Sequence, residues 1–545
     1  MKIALAQLNY TIGDFSGNIE KKKAAIENAI SANCDLIVFS ELSICGYIPK
    51  DTLNYDSFIL RCNEAINELL PYSNTLGIII GAPIFSNLKK GKRLRNAALL
   101  LHQGKIAKEV YKTLLPTYDI FDEYRYFEPN TQFELVEFKG YKIALTICED
   151  LWNIDATPLY TVTPMEELQK LGPQLMINIS GSPYSYNHVD ERKALMQQNA
   201  ATYQLPLIYV NQVGAHTDVI FDGGSLFIDH KGEVVEELDY FKEEIQIINW
   251  EPQKEYPVKS PTIHNEDMEL IHAAIITGIR DYFTKSGFKK AILGLSGGID
   301  SALVNALAFE ALGAENVLSV MMPSKYSSKG SVDDSIDLCK NTGNPYHIIS
   351  IENTVSAFEK TLEPLFVGLK VDTTEENLQA RNRGLFLMAL SNKFGHILLN
   401  TSNKSESAVG YSTLYGDMCG GLSVIGDLYK TQVYAMSKYI NRNGIIIPDA
   451  IINKAPSAEL RPNQLDSDSL PDYDLLDKLL FHYIENQKGW EEIVALGFEE
   501  SIVRKIVSMV DRNEYKRFQA SPTLRISHKA FGLGRQMPLV AKYFY

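Results

Sequence analysis

Apolar residues in the first 250 positions come in short runs: KIALAQL (2–8), DLIVFS (35–40), TLGIIIGA (75–82), NAALLL (96–101), KIALTI (142–147), QLMINIS (174–180) and PLIYVNQV (206–213). Each is the length of a strand and is bounded by polar or turn-forming residues, as buried β-strands are. Between them, residues 18–32 and 191–203 place apolar side chains at helical spacing. Strands interleaved with helices predict an α/β layered unit whose strands are partly or wholly buried.

The pattern stops at EPQKEYPVKSPTIHNED (251–267), which is rich in proline and charge and has no periodicity. Residues 251–265 read as a linker between units at 1–250 and 266–545. Beyond it, AAIITGIRDYFTKSG predicts a helix stopped by Gly287. A buried strand AILGL (291–295), a helix over 300–312 and a strand NVLSVMM (316–322) follow. That order is the repeating unit of a doubly wound parallel sheet. The polar stretches 403–424 and 454–475 are expected to be long loops, and loops of that length often cover a site.

Of the 545 residues, 45% are hydrophobic and 22% charged, which predicts a globular chain rather than a disordered one. Lys+Arg 53 against Asp+Glu 67 gives a net charge of −14. Extended nucleic acid and anionic membrane are therefore not expected partners, although a local basic cleft can still take a nucleotide. No apolar run approaches the roughly 18–20 residues of a spanning helix. The opening MKIALAQLNYTIGD lacks the long apolar centre of a signal peptide. Six cysteines (Cys34, Cys45, Cys62, Cys148, Cys339, Cys419) form no CxxC pair and no regular spacing, so neither a zinc site nor a disulfide framework is expected. A cytoplasmic enzyme acting on small molecules is the natural expectation.

Candidate chemistry appears at AILGLSGGIDSAL (291–303), where a buried strand runs through Ser296, Gly297, Gly298, Asp300 and Ser301 into a helix. Paired glycines let backbone N–H groups close on an anion, the serines add hydroxyl donors, and the helix N-terminus adds favourable charge. A carboxylate in an anion loop calls for a bridging cation, and Mg²⁺ is the simplest choice. The loop lacks the GxxxxGK[ST] of a Walker A motif. It resembles the SGGxDS signature of the ATP pyrophosphatase superfamily, whose members activate a substrate oxygen as its adenylate. Downstream, ILLNTSNKSESAVGYSTLYGDMCGG (397–421), GDLYKTQV (426–433), KAPSAELRPNQLDSDSLPDYDLLD (454–477) and RNEYKRFQASPTLRIS (512–527) resemble the NAD synthetases. That resemblance implies Asp300 and Glu406 as magnesium carboxylates. It implies Ser296, Gly297, Gly298, Ser301 and Thr401 as ATP contacts, and Arg383, Asp417 and Lys430 as contacts for deamido-NAD.

In the first half three chemically capable residues stand just beyond apolar runs: Glu41, Lys112 and Cys148. A thiol nucleophile needs a base, which a carboxylate can be, and an ammonium stabilises the oxyanion that follows attack. FSELSICGY, YKTLLPTYDIFDEYRYF and ICEDLW resemble the three catalytic boxes of the nitrilase (carbon–nitrogen hydrolase) superfamily, in its order. The resemblance implies a four-layer αββα sandwich with Glu41 as general base, Lys112 as oxyanion stabiliser and Cys148 as nucleophile. It implies Glu123 as a supporting second glutamate.

A nitrilase unit followed by an NAD synthetase unit resembles the glutamine-dependent NAD synthetases. That arrangement implies a glutamine-hydrolysing ligase that amidates deamido-NAD with ATP, and a homo-oligomer of at least two copies. Tyr118 and the segment NISGSPYSYNHVDER (178–192) match that family's glutamine-recognition region, with Ser180, Ser182 and Arg192 as candidates. A guanidinium suits an α-carboxylate because it binds bidentately. An inert amidase half serving only assembly, a different carboxylate acceptor, or a binding scaffold are the competing expectations.

Overall fold

The computed structural model describes residues 1–154, 157–259, 264, 267–457, 459–462 and 464–542. It divides into two compact units, Met1–Glu266 and Asp267–Tyr545. In the expected linker, 251–259 holds neither helix nor strand, while 260–263, 265 and the neighbouring 266 lie outside the described residues.

The first unit opens with β1 (Lys2–Gln7), α1 (Phe15–Ser31), β2 (Leu36–Phe39), α2 (Asp56–Leu69), β3 (Gly77–Phe85), β4 (Leu94–His102) and β5 (Lys105–Tyr111). It continues with β6 (Val136–Phe138), β7 (Tyr141–Ile147), α3 (Pro164–Gln169), β8 (Leu175–Ile179), α4 (His188–Tyr203) and β9 (Leu207–Val210). It closes with β10 (Val213–His216), β11 (Val219–Asp222), β12 (Leu226–Ile228), β13 (Val234–Glu237) and β14 (Glu244–Asn249). Two six-stranded sheets result, ordered β14-β1-β2-β3-β4-β5 and β13-β12-β9-β8-β7-β6, each with a parallel centre and antiparallel flanks.

Period-two alternation builds the layers. Ile3, Leu5, Leu36 and Val38 of the first sheet share one core with Ile143, Leu145, Ile147 and Ile177 of the second. Ala4, Ala6, Ile37 and Phe39 face the other way and pack with Ile19 and Ile26 of α1 and Ile59 and Ile66 of α2. On the far side Ala144, Met176 and Leu207 pack with Met165 of α3 and Leu195 and Met196 of α4. Each such side chain contributes about 1.5–3 kcal/mol relative to exposure. The outcome is the expected αββα sandwich. β14 returns antiparallel beside β1, and the Met1 ammonium donates to Trp250 O at 2.6 Å.

The second unit begins with α5 (Met268–Lys285), β15 (Ala291–Gly294), α6 (Ile299–Leu312), β16 (Val317–Met321), α7 (Lys329–Thr342) and β17 (Tyr346–Ile348). Next come α8 (Glu352–Leu362), α9 (Thr373–Phe394), β18 (Ile397–Asn400), α10 (Lys404–Val409), β19 (Leu422–Ser423) and α11 (Lys430–Ile440). Helices α12 (Asp449–Asn453), α13 (Tyr473–Leu480), α14 (Trp490–Ala495) and α15 (Glu500–Arg512) follow. Every pairing in the five-stranded sheet β17-β16-β15-β18-β19 is parallel.

Three details differ from expectation. The run 206–213 is split into β9 and β10, because Asn211 turns its side chain to Ser182: its Oδ1 accepts from Ser182 N and its Nδ2 donates to Ser182 O. β5 has no strong apolar signature, since most of its residues are exposed or half-exposed. The stretch 403–424, expected as a loop, contains the short helix α10 and the strand β19. Among the described residues no helix is long and apolar enough to cross a membrane.

Two candidate active sites

In the first unit the candidate residues sit where strands end. Glu41 lies two residues past β2, and Gly81 of β3 lets that turn approach: a Cβ there would lie 2.3 Å from Leu42 N and 2.7 Å from Ser40 O. Lys112 directly follows β5. Cys148 follows β7 at φ +44, a left-handed conformation costly for a side-chain-bearing residue, and begins a single helical turn, Cys148–Leu151. Asp150 fixes that turn: its Oδ2 accepts from Ile147 N at 3.1 Å, and its Oδ1 from Thr113 N and Leu114 N at 2.9 Å each. The Cys148 turn and the chain just after Lys112 are thereby tied to one carboxyl. Burial pushes that carboxyl up to about 7 against the pull of its three N–H donors.

Lys112 Nζ donates to Glu41 Oε1 and Glu123 Oε1, each at 2.8 Å. All three side chains are buried, at 0–3% exposure. Burial disfavours the Lys112 ammonium, but Glu123 and Glu41 outweigh it and hold the lysine charged far above its usual range. Burial pushes the Glu123 carboxyl up, with Lys112 opposing. Asn96 Nδ2 donates to Glu41 at 2.7 Å and to Glu123 at 3.4 Å, Tyr47 Oη donates to Glu123 at 2.6 Å, and Gly181 N donates to Glu41 Oε2 at 3.0 Å. Burial raises the Cys148 thiol, and Glu41 and Lys112 are the strongest charged influences on it after that. A carboxylate, an ammonium and a thiol are therefore buried within electrostatic reach of one another.

The expected glutamine contacts are distributed around this centre. Tyr118 donates to both oxygens of Glu149 at 3.0 Å, and Tyr160 donates to its Oε1 at the same distance. Ser180 Oγ donates to Asn178 Oδ1 at 2.7 Å, and Ser182 is buried beside Asn211. Arg192 is only 2% exposed, with Nη2 donating to Asp222 at 2.7 Å. Its Nη1 has no hydrogen-bond partner among the described residues, which leaves one donor unspent on Asp222.

In the second unit a cleft of about 280 Å³ is lined by Ser296, Gly298, Asp300, Ser301, Arg383, Thr401, Glu406, Asp417 and Lys430. The sequence spreads these residues over 135 positions, and the parallel sheet gathers them at one end. The loop after β15 is held by its own hydroxyls: Ser301 Oγ accepts from Ser296 N at 3.2 Å, and Ser296 Oγ accepts from Gly298 N at 3.2 Å. Gly297, at φ +79, does not line the cleft but permits the turn, because a Cβ there would lie 2.4 Å from Ser331 O.

Lys430, the first residue of α11, donates to Asp300 Oδ2 at 2.6 Å and to Glu406 Oε1 at 3.2 Å. Asn403 Nδ2 holds the other oxygen of Asp300 at 2.9 Å, and Asn403 Oδ1 accepts from Glu406 N at 2.9 Å. Burial, with Asp300 adding to it and Lys430 opposing, pushes Glu406 up to about 8. Such crowding of negative charge favours a cation. Asp417 is pushed up to about 6 by burial and accepts from Thr413 N at 2.6 Å. Arg383 Nε donates to Met322 O at 3.1 Å. The expected loop 454–475 lines the same cleft through Lys454, Glu459 and Asp466, with Ala458 and Asn463 outside the described residues.

Sequence reasoning missed Asn96, Tyr47, Glu149 and Asp150 in the first site, and Asn403, Glu459 and Asp466 in the second. The signals were present but weak: an asparagine opening the run NAALLL, two acids directly after Cys148, and an asparagine three residues before Glu406.

Comparison with known proteins accords with this geometry. Residues 2–259 match the carbon–nitrogen hydrolase family, and residues 271–520 match NAD synthase. Fold and sites together define an amide-forming ligase with a hydrolase unit joined to a nucleotide-using one. A glutamine-dependent NAD(+) synthetase of Synechocystis sp. is 44% identical over 552 residues, covering 99% of both chains. One from Thermotoga maritima is 39% identical, covering 100% of this chain and 99% of its own. The solved structure of the Acinetobacter baumannii glutamine-dependent NAD+ synthetase in complex with ADP is 37% identical, covers 99% of this chain and 98% of its own, and has a TM-score of 0.78. The chain belongs to the glutamine-dependent NAD(+) synthetase family.

Proposed function

We propose that the chain converts deamido-NAD, ATP and glutamine into NAD(+), AMP, pyrophosphate and glutamate, with Glu41, Lys112 and Cys148 performing the hydrolytic half. Cys148 Sγ attacks the glutamine side-chain carbonyl while Glu41 takes the thiol proton and delivers it to the departing ammonia. Lys112, held between Glu41 and Glu123, supplies positive charge to the oxyanion. Water then cleaves the thioester and releases glutamate. The Glu149 carboxylate, bracketed by Tyr118 and Tyr160, is complementary to the substrate's α-ammonium. The unspent Nη1 of Arg192 suits its α-carboxylate.

In the second unit the backbone of Ser296–Ser301 cradles the ATP phosphates. The nicotinate carboxylate attacks the α-phosphorus in line, pyrophosphate leaves, and ammonia displaces AMP from the acyl-adenylate. Arg383, Asp417 and Lys430 are assigned to deamido-NAD and Thr401 to ATP. Asp300 and Glu406 fit Mg²⁺: two hard oxygen donors face one cleft and already share a single cation, Lys430. Among the described residues no set of three or more His, Cys, Asp or Glu side chains surrounds a metal position. A Mg²⁺ site made of one or two carboxylates completed by substrate phosphates accords with that. When bound, the ion offsets the repulsion between two polyphosphate substrates. Water-soluble small molecules are the expected partners, in the cytoplasm.

A homo-oligomer is part of the same proposal. Between positions 365 and 394, Leu365, Val367, Leu369, Val371, Leu385 and Phe394 expose 54–82% of their surface, and exposed apolar clusters mark interaction surfaces. A second copy is the proposed cover. Sedimentation equilibrium should give at least a dimer, and Val367→Asp with Val371→Asp should shift it toward monomer.

The observation that carries the functional reading is that one chain holds a lysine-bridged carboxylate pair beside Cys148 and a second such pair beside a phosphate-type loop. NAD(+) formation from deamido-NAD, ATP and Mg²⁺ is measured with glutamine or ammonium as donor. Cys148→Ala should lose the glutamine-driven reaction by at least about 10³-fold and retain the ammonium-driven one. A wild-type protein that makes no NAD(+) from either donor would overturn the proposal.

A further inference from the structure

Four consecutive residues, the cap Asn403 and the first three of α10, all bond to distant parts of the chain. Asn403 holds Asp300, Ser405 Oγ donates to Asp477 Oδ1 at 2.5 Å and accepts from Lys430 N at 2.9 Å, and Glu406 meets Lys430. Lys404 turns away from the cleft into the interior and is wholly buried. Its Nζ lies 2.8 Å from Glu485 Oε1, 2.8 Å from Ser527 Oγ, 3.0 Å from Asp427 Oδ1 and 3.1 Å from Lys529 O. Asp427 in turn accepts from Ile526 N, Ser527 N and Ser527 Oγ at 2.7–2.8 Å.

α10 has only six residues, fewer than two turns, and a helix that short is not stable by itself. Its place must be imposed from outside. A buried lysine with two carboxylates is a poor source of stability compared with an apolar side chain of the same volume, but its directional bonds fix one arrangement. We propose that Lys404 is a positioning residue of the nucleotide site. It ties the segment Ile526–Lys529, whose Lys529 is 125 residues downstream, to the helix that carries Glu406. It thereby sets the spacing of Glu406 and Asp300 at which the nucleotide phosphates and their metal are received. The inference rests on the ATP reading above.

The test uses the full chain with Lys404→Met and Ser527→Ala, assayed with ammonium so that the Cys148 site is not needed. Two quantities are read: KM against kcat for ATP, and Mn²⁺ half-saturation by electron paramagnetic resonance in the presence of a non-hydrolysable ATP analogue. Lys404→Met should raise KM for ATP and the Mn²⁺ half-saturation point about tenfold, with a smaller fall in kcat. Ser527→Ala, which removes the hydroxyl's bonds to the Lys404 ammonium and the Asp427 carboxylate, should move both in the same direction by about threefold. If kcat falls only in proportion to lost folded protein while KM and Mn²⁺ binding stay at wild-type values, the inference is overturned. Should Lys404→Met fail to fold, Ser527→Ala decides by the same two readouts. A wild-type chain that binds no nucleotide would refute the ATP reading instead.

Discussion

Both units suspend a lysine between two carboxylates, yet they do so in opposite surroundings. Lys112, Glu41 and Glu123 are sealed from solvent, whereas Asp300 and Glu406 keep 19% and 17% of their surface open to the cleft around Lys430. In the sealed triad the charges are balanced mainly by one another, because the three side chains are buried. That suits acyl transfer, in which one proton circulates among fixed groups. In the open triad the partner of each carboxylate can be exchanged. That suits a reaction whose substrates bring four or more negative charges of their own. On the proposed reading, a lysine between two carboxylates is thus suited to proton transfer when closed and to ion exchange when open.

Replacing each lysine is the strongest test of this contrast. Lys112→Met strands two buried carboxylates and should destabilise the first unit by about 3–5 kcal/mol in calorimetry. It should also abolish glutamine hydrolysis by on the order of 10³-fold. Lys430→Met should abolish synthesis with either nitrogen donor while costing less than half as much stability. Equal stability losses would show that the two triads are the same device. A next, smaller effect is expected at the phosphate loop. Gly297→Ala forces a Cβ against Ser331 O, so KM for ATP should rise about tenfold or more while glutamine hydrolysis is unchanged. An unchanged KM would mean that the loop yields.

The smallest expected effect is a pH dependence of the first unit's stability. Asp150 in the folded chain holds its proton up to about 7, above the ordinary carboxyl value of about 3.9. Between those values the folded state binds more protons than the unfolded one, so its stability falls as pH rises. The contribution is complete below about pH 4 and is lost by the time pH passes 7. The first unit's melting temperature should decline across that window, and Asp150→Asn should flatten the decline. A steeper slope in Asp150→Asn would assign the titration to another group.

The candidate residues were legible because Glu41, Cys148 and Asp300 follow apolar runs and because the surrounding boxes resemble known families; Lys112, after the half-exposed β5, was legible through that resemblance. The interleaving of strands and helices foretold a layered α/β unit, while the four-layer order came from the nitrilase resemblance; in the fold it shows in β1, where Ile3 and Leu5 face one core and Ala4 and Ala6 another. Less visible were residues whose role depends on distant chain. Asn96 looks like an imperfection in a buried strand until Glu41 and Glu123 arrive beside it. Lys404 looks like a solvated charge until Asp427, Glu485 and Ser527 surround it. Short strands such as β10 to β13 carry three or four residues each, too few for a period to declare itself.

The pairing of β14 with β1 has a consequence for how the protein is made. β1 is translated well before β14, and one of its edges stays unpaired until residue 249 follows. At about 5–20 residues per second that interval is roughly 10–50 s. During this time the exposed edge can pair with any neighbouring nascent chain. Birth of the first unit is therefore a race between its own last strand and strangers, and Met1 docking on Trp250 O marks its end.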